Sequence, residues 1–95
     1  YLGNFTISDT VFRQILEYLA SKTPAIYKIL KLRVENYGDG AKIYMEVTVY
    51  YGYNVIDGIN EFKRKARKEI EKLTSMNVVE LNVVAKNIFV PEKED

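Results

Sequence analysis

The stretch Tyr51-Gly52-Tyr53-Asn54-Val55-Ile56-Asp57-Gly58-Ile59 decides the fold, because the spacing of apolar residues changes across it. Upstream, apolar residues alternate up to Tyr51; downstream, Val55, Ile59, Phe62, Ala66, Ile70 and Leu73 recur at steps of four, three, four, four and three. That spacing draws one narrow apolar stripe along a helix of 3.6-residue period. Lys63, Arg64, Lys65, Arg67 and Lys68 then fall on the solvent side. Asn54 is suited to cap the helix, Asp57 sits in the positive first turn and Lys72 in the negative last turn, so the helix is predicted from near Asn54 to near Ser75. The chain then returns to alternation in Asn77-Val78-Val79-Glu80-Leu81-Asn82-Val83-Val84. Val79, Leu81, Val83 and Ala85 are predicted on a core face, with Glu80, Asn82 and Lys86 opposite.

Working back from Gly52, Ile43, Met45, Val47, Val49 and Tyr51 share one side of a predicted strand over 42–51. The turn-forming Gly38-Asp39-Gly40 joins it to an alternating segment from Lys31 to Tyr37, with Leu32 and Val34 inward and Arg33 and Glu35 outward, which makes a β-hairpin. Ala25 to Leu30 reads either as a helical turn on the core or as the beginning of that first hairpin strand. Before it, Ser8 or Asp9 can cap a helix whose inward residues are Phe12, Ile15, Leu16 and Leu19, and Ser21-Lys22-Thr23-Pro24 ends it, since the residue before proline avoids the helical region. Gly3 to Ile7 is predicted as a short leading strand. The expectation is an α+β domain of order β-α-β-β-α-β, two-layered, with both helices on one face of a small mixed sheet. Residues 3–90 form one domain in this reading, and 91–95 a flexible acidic tail.

Ninety-five residues, 47% of them hydrophobic and 28% charged, describe a small globular unit. The net charge of +1 gives no general electrostatic reason to expect nucleic acid or anionic lipid. Cysteine and histidine are both absent, which removes disulfides, thiolate metal sites, Ser-His triads and the usual acid–base group near neutral pH. No catalytic, cofactor-binding or metal-binding residues are therefore assigned. No apolar run approaches the ~20 residues that span a bilayer as a helix. The start at Tyr1 suggests a domain excised from a longer chain.

Three motifs resemble one bacterial family in the same order along nearly the whole chain. Gly3-Asn4-Phe5-Thr6-Ile7-Ser8 is similar to the Gly-x-Ile-x-Ile-Ser opening of the alkaline-shock, or envelope stress response, family. Val47-Thr48-Val49-Tyr50-Tyr51-Gly52-Tyr53-Asn54-Val55 resembles its strand followed by Tyr-Gly-x-Asn-Ile, and Leu73-Thr74-Ser75-Met76-Asn77-Val78-Val79-Glu80-Leu81-Asn82-Val83 resembles its Met-Thr-Gly-Leu-x-Val-x-Glu-Val-Asn-Val. The chain departs where the family often has Pro-Glu, here Ile56-Asp57, and where it often has Gly after Met-Thr, here Ser75-Met76. The resemblance implies a non-enzymatic role in envelope stress response or membrane homeostasis, through protein–protein contact or self-association. It also implies a cytoplasmic place at the inner face of the membrane, because members are either gathered there by a partner or follow transmembrane helices.

Two surfaces are candidates for contact. Lys42, Tyr44, Thr48 and Tyr50 lie on the sheet face opposite Ile43, Met45, Val47 and Val49, and tyrosine favours protein interfaces. The competing reading of these tyrosines is ordinary cross-strand aromatic packing. Lys63, Arg64, Arg67 and Lys68 form a basic helix face, which with Tyr44 and Tyr50 gives the alternative function, a small nucleic-acid-binding module. Against it, Glu61 with Lys65, Lys65 with Glu69 and Arg67 with Glu71 stand at the spacing of ion pairs on an ordinary solvated helix.

Overall fold

The computed structural model describes residues 7–37 and 40–92. Its elements are α1 (Asp9–Ser21), β1 (Ile26–Asn36), β2 (Gly40–Tyr50), α2 (Val55–Thr74) and β3 (Asn77–Phe89). β2 lies at the centre of the sheet, antiparallel to β1 and parallel to β3, so the sheet is mixed. The leading strand expected at Gly3–Ile7 lies outside the described residues except for Ile7, which precedes α1 without belonging to a strand. The tip of the hairpin turn likewise falls outside them; Tyr37 N–H donates to the Gly40 carbonyl at 2.8 Å and draws the two strands together.

Both helices cover one face of the sheet. Phe12, Leu16, Leu19 and Ala20 of α1 and Phe62, Ala66 and Ile70 of α2 join the inward residues of β2 in one core cluster. Ala41, Ile43, Met45, Val47 and Val49 are all buried, as a central strand under two helices requires. The helix ends follow local chemistry. The Ser8 hydroxyl accepts from Thr10 N–H at 3.2 Å, and the Asn54 side chain accepts from Asp57 N–H at 3.0 Å, each satisfying an amide that the first helical turn leaves free. α2 ends at Ser75, a non-glycine residue in the left-handed region at φ 61° whose N–H donates to the Glu71 carbonyl. After α1, the Thr23 hydroxyl donates to the Leu19 carbonyl at 3.0 Å, and Ile26 opens β1 directly, which settles the Ala25–Leu30 segment as mostly strand.

The turn from β2 into α2 uses Gly52 at φ 106°, a conformation that side chains bearing a Cβ rarely adopt. Its position is fixed from the neighbouring strand β3 by Tyr51 N–H, which donates to the Phe89 carbonyl at 2.9 Å. Tyr51 itself is in this turn and exposed, not in line with the core face of β2 as alternation predicts, because the strand ends one residue earlier.

Two further expectations are corrected by geometry. Alternation predicts Val79 inward, yet it is 59% exposed, while Val78 and Leu81 are buried. The β2–β3 register shifts between Ala41 and Lys42, opposite Val78 and Glu80, so Val79 is the inserted residue of a bulge and the inward parity changes there. Leu73 continues the apolar stripe of α2 but is exposed, being almost at the helix C-terminus.

Candidate functional site

The face of the sheet away from the helices carries all four residues singled out on β2, but the structure divides them. Lys42 is exposed and Tyr44 half-buried at one end, Thr48 is buried between Lys28 and Asn87, its register partners on the flanking strands, and Tyr50 sits among rings at the far end. Tyr27 stacks on Phe89 with ring centres 4.2 Å apart, and Tyr50 meets both edge-on, at 5.2 and 5.6 Å. Tyr50 is therefore engaged in cross-strand aromatic packing across all three strands.

The Lys42–Tyr44 end is polar and ordered by short contacts. Tyr44 OH donates to the Glu46 carboxylate at 2.8 Å, and Lys86 Nζ approaches the same carboxylate at 4.0 Å. Arg33, across the strand pair from Tyr44, holds its guanidinium 5.7 Å from the centre of the Tyr44 ring. Lys42 stands 5.7 Å over the ring of Tyr37, whose hydroxyl donates to Glu35 at 2.7 Å. On β3, Asn82 donates to Glu80 at 2.8 Å. Arg33, Glu35, Lys42, Tyr44, Glu80 and Asn82 thus line one shallow depression. Of these only Lys42 and Tyr44 stand out in the sequence. The outward alternation of β1 and β3 contains the others, but which of them meet depends on strand register.

Hydrogen bonding to the Glu46 carboxylate, then partial desolvation, raises the Tyr44 phenol above its ordinary value of 10.0, and Glu35 does the same for Tyr37. A raised tyrosine value means that the fold favours the neutral phenol. The stabilisation is fully present below the unfolded value and is lost as pH rises through the raised folded value, so the sensitive window lies above about pH 10. We expect stability to be insensitive to these two groups between about pH 7 and 9. Phenolate absorbance should show Glu46→Gln lowering the titration of Tyr44; an unchanged profile would contradict the Glu46 contact as its cause.

The basic helix face is on the other side of the domain. Arg64 and Lys68 are on the exposed outer surface of α2, so the helical layer and the sheet stand between them and Tyr44. Lys65 pairs with Glu61 at 3.1 Å, as its spacing predicts. Lys63 is half-buried, and Arg67 and Glu71 do not form the predicted ion pair. Instead the Arg67 guanidinium donates to the Val78 carbonyl, while the Glu71 carboxylate accepts from Val78 N–H at 3.0 Å. Arg67 is thus committed to fastening α2 to the start of β3, just before the bulge. Among the described residues no group of acidic side chains is arranged to hold a metal ion, and no helix is long and apolar enough to cross a membrane.

An α+β domain with two helices on one face of a three-stranded mixed sheet, bearing the sequence motifs quoted above, defines an envelope-related class of protein. Residues 30–90 match the model of the alkaline shock protein 23 family, described as having a cell envelope-related function, and the chain belongs to that family. No curated protein matches the sequence. Among solved structures, the C-terminal domain of the magnetosome protein MamB from Desulfamplus magnetovallimortis BW-1 is similar at a TM-score of 0.59 and 14% identity, over 88% of this chain and 98% of that one. A MamM C-terminal domain is similar at 0.60 and 15% identity, over 84% and 99%. A MamM C-terminal domain variant in a copper form is similar at 0.57 and 14% identity, over 90% and 100%. At these identities the likeness is one of fold.

Proposed function

We propose that this domain is a non-enzymatic interaction module of envelope stress response or membrane homeostasis, working by protein–protein contact through the uncovered sheet face. The observation that carries the reading is the asymmetry of the two layers: the helices bury one face of the sheet, and the other presents ordered charged and aromatic side chains around Tyr44. Membership of an envelope-related family supports the cellular setting. Absence of histidine and cysteine from the sequence supports a role without acid–base or thiol chemistry. The place of action in this proposal is the cytoplasmic side of the cell membrane, reached through a partner or a further part of the parent chain. Residues 3–90 act as the working unit in this proposal.

The nucleic-acid reading is disfavoured by the separation of Arg64 and Lys68 from the tyrosines, and by the interleaving of Arg33 and Lys42, the cations that do stand over Tyr44 and Tyr37, with Glu35, Glu46 and Glu80. Lys42→Ala with Tyr44→Ala tests the proposal without disturbing the Tyr50 cluster. Affinity capture from envelope extracts should recover a discrete protein with the wild-type domain and lose it with this double variant, at matched stability. Undiminished capture would reject the face, and sequence-selective RNA binding at physiological salt would replace the reading.

A further inference from the structure

Once register is known, the uncovered face shows a pattern of charge that no single strand reveals. The row Arg33–Tyr44–Asn82 crosses the three strands at adjacent positions. On one side of it lies the row Glu35–Lys42–Glu80, with signs minus, plus, minus. On the other lie Lys31 opposite Glu46, and Lys86 against the same Glu46, with signs plus, minus, plus. β1 and β2 therefore each carry one acid and one base at equal steps on opposite sides of the Tyr44 row, with inverted order, while β3 has Glu80 on one side and Val84 on the other, Lys86 standing two residues further along.

From this pattern we infer that the occupant of the face is a second copy of the chain, related by a two-fold axis lying along the Arg33–Tyr44–Asn82 row. This deepens the proposed function and rests on it for the choice of face. Turning one sheet over about that axis leaves each strand facing its own counterpart and reverses the order along it. Glu35 then meets Lys31 of the other copy and Lys42 meets Glu46, each twice by symmetry, while Glu80 meets Val84, with Lys86 two residues beyond it. A two-fold axis along the strands does the opposite: it sets Lys42 on Lys42 and Glu35 on Glu80. The charges thus choose between the two ways of stacking the face on itself, and they disfavour the wrong one by like-charge contact. Packed sheets stand ~10 Å apart and rotate by about 30°, distances that lysine and glutamate side chains can bridge. Arg33 approaches its own counterpart near the axis, at the β1 edge, where its charge stays solvated beside the Tyr44 ring.

Three strands give a face of roughly 30 by 14 Å, about 400 Å² in projection per copy, below the ~800 Å² per partner of a standard stable interface. The association is accordingly weak and salt-sensitive.

The cross-strand pairs allow a test that keeps net charge and the complementarity of β1 with β2, while each exchange sets one β3 residue, Glu80 or Lys86, beside a like charge of its own chain. One variant exchanges a pair in the first row, Glu35→Lys with Lys42→Glu; another exchanges a pair in the second, Lys31→Glu with Glu46→Lys. Each is expected to weaken dimerisation by about tenfold or more in sedimentation equilibrium, because like charges then face across the interface. Combining all four substitutions in one chain, or mixing the two double variants, should restore the affinity to within about threefold of wild type. Thermal unfolding identifies any variant that fails to fold; the mixture of two folded double variants then decides the matter even if the quadruple variant is lost, and Lys42→Ala paired with Glu46→Gln replaces a double variant that does not fold, with weakened dimerisation again expected. A wild-type domain that stays monomeric to about 1 mM at low salt would overturn the inference. So would dimerisation indifferent to the exchanges, or exchanges that fail to restore it in combination. A monomer that still captures an envelope protein through Lys42 and Tyr44 would leave the proposed function standing and remove only the second copy.

Discussion

Phe62→Ala should lower the unfolding free energy by about 3–5 kcal/mol, the largest loss expected from any one truncation in α2. Phe62 is fully buried at 0% exposure, in the cluster that joins α1, α2 and the central strand. Its removal forfeits the transfer free energy of the ring and leaves a cavity in a small core whose other large buried side chains are Phe12, Leu16, Ile43, Met45, Ile70 and Val47. A domain of this size commonly has only ~5–10 kcal/mol of total stability, so the variant should be partly unfolded at modest urea concentrations. Leu73→Ala is the matched control. Leu73 belongs to the same periodic stripe but is exposed, and its truncation should change stability by no more than about 0.5 kcal/mol. Lys63→Ala with Lys68→Ala should likewise cost far less than Phe62→Ala, since Lys68 is exposed and Lys63 only half-buried, and ion pairs at such positions usually contribute ~0–1 kcal/mol. If urea unfolding places Phe62→Ala and Leu73→Ala at the same cost, the burial pattern of α2 is wrong.

The contrast between Phe62 and Leu73 also shows where sequence pattern stops being informative. Periodicity identifies the inward face of α2 because a helix has a constant turn angle, and Asn54 and Asp57 mark its start because free backbone amides need acceptors. It cannot say how far the neighbouring layer extends, and Leu73 overruns the core. In the strands, alternation carries Ile43 to Val49 correctly but fails at Val79, since one inserted residue changes parity and has no compositional mark. Lys42 and Tyr44 are legible as outward residues of one strand. Their relation to Glu35, Arg33, Glu80 and Asn82 is not, because register joins residues distant in the chain, and the second β2–β3 register shift moves Lys86 from where simple counting puts it. Arg67 is the converse case: its spacing from Glu71 suggests a local ion pair, but the Val78 backbone offers each of them a better partner.

Gly58 had no role in the periodic pattern, and its substitution is expected to produce the second large effect. Glycine inside an exposed helix usually costs about 1 kcal/mol relative to alanine, so Gly58→Ala would ordinarily stabilise α2. Here a Cβ at position 58 would lie only 2.5 Å from the Cβ of Ala25. Ala25 has little freedom to withdraw: it is buried, its carbonyl accepts from Tyr50 N–H at 2.9 Å, and the next residue begins β1. The methyl overlap must therefore push the first turns of α2 away from the sheet. Overpacking of this kind costs ~1–3 kcal/mol, which outweighs the gain in helix propensity, and Gly58→Leu should reach or exceed the upper end of that range. The decisive comparison is a double-mutant cycle with Ala25→Gly. That change alone should cost about 1 kcal/mol through lost burial and greater freedom of the unfolded chain. Combined with Gly58→Ala it transfers one methyl group from the strand to the helix across the same contact, and stability should return to within about 1 kcal/mol of wild type. Strictly additive losses in thermal unfolding would mean that the two positions do not share this space, and that the close approach of α2 to Ala25 is not what requires glycine at position 58.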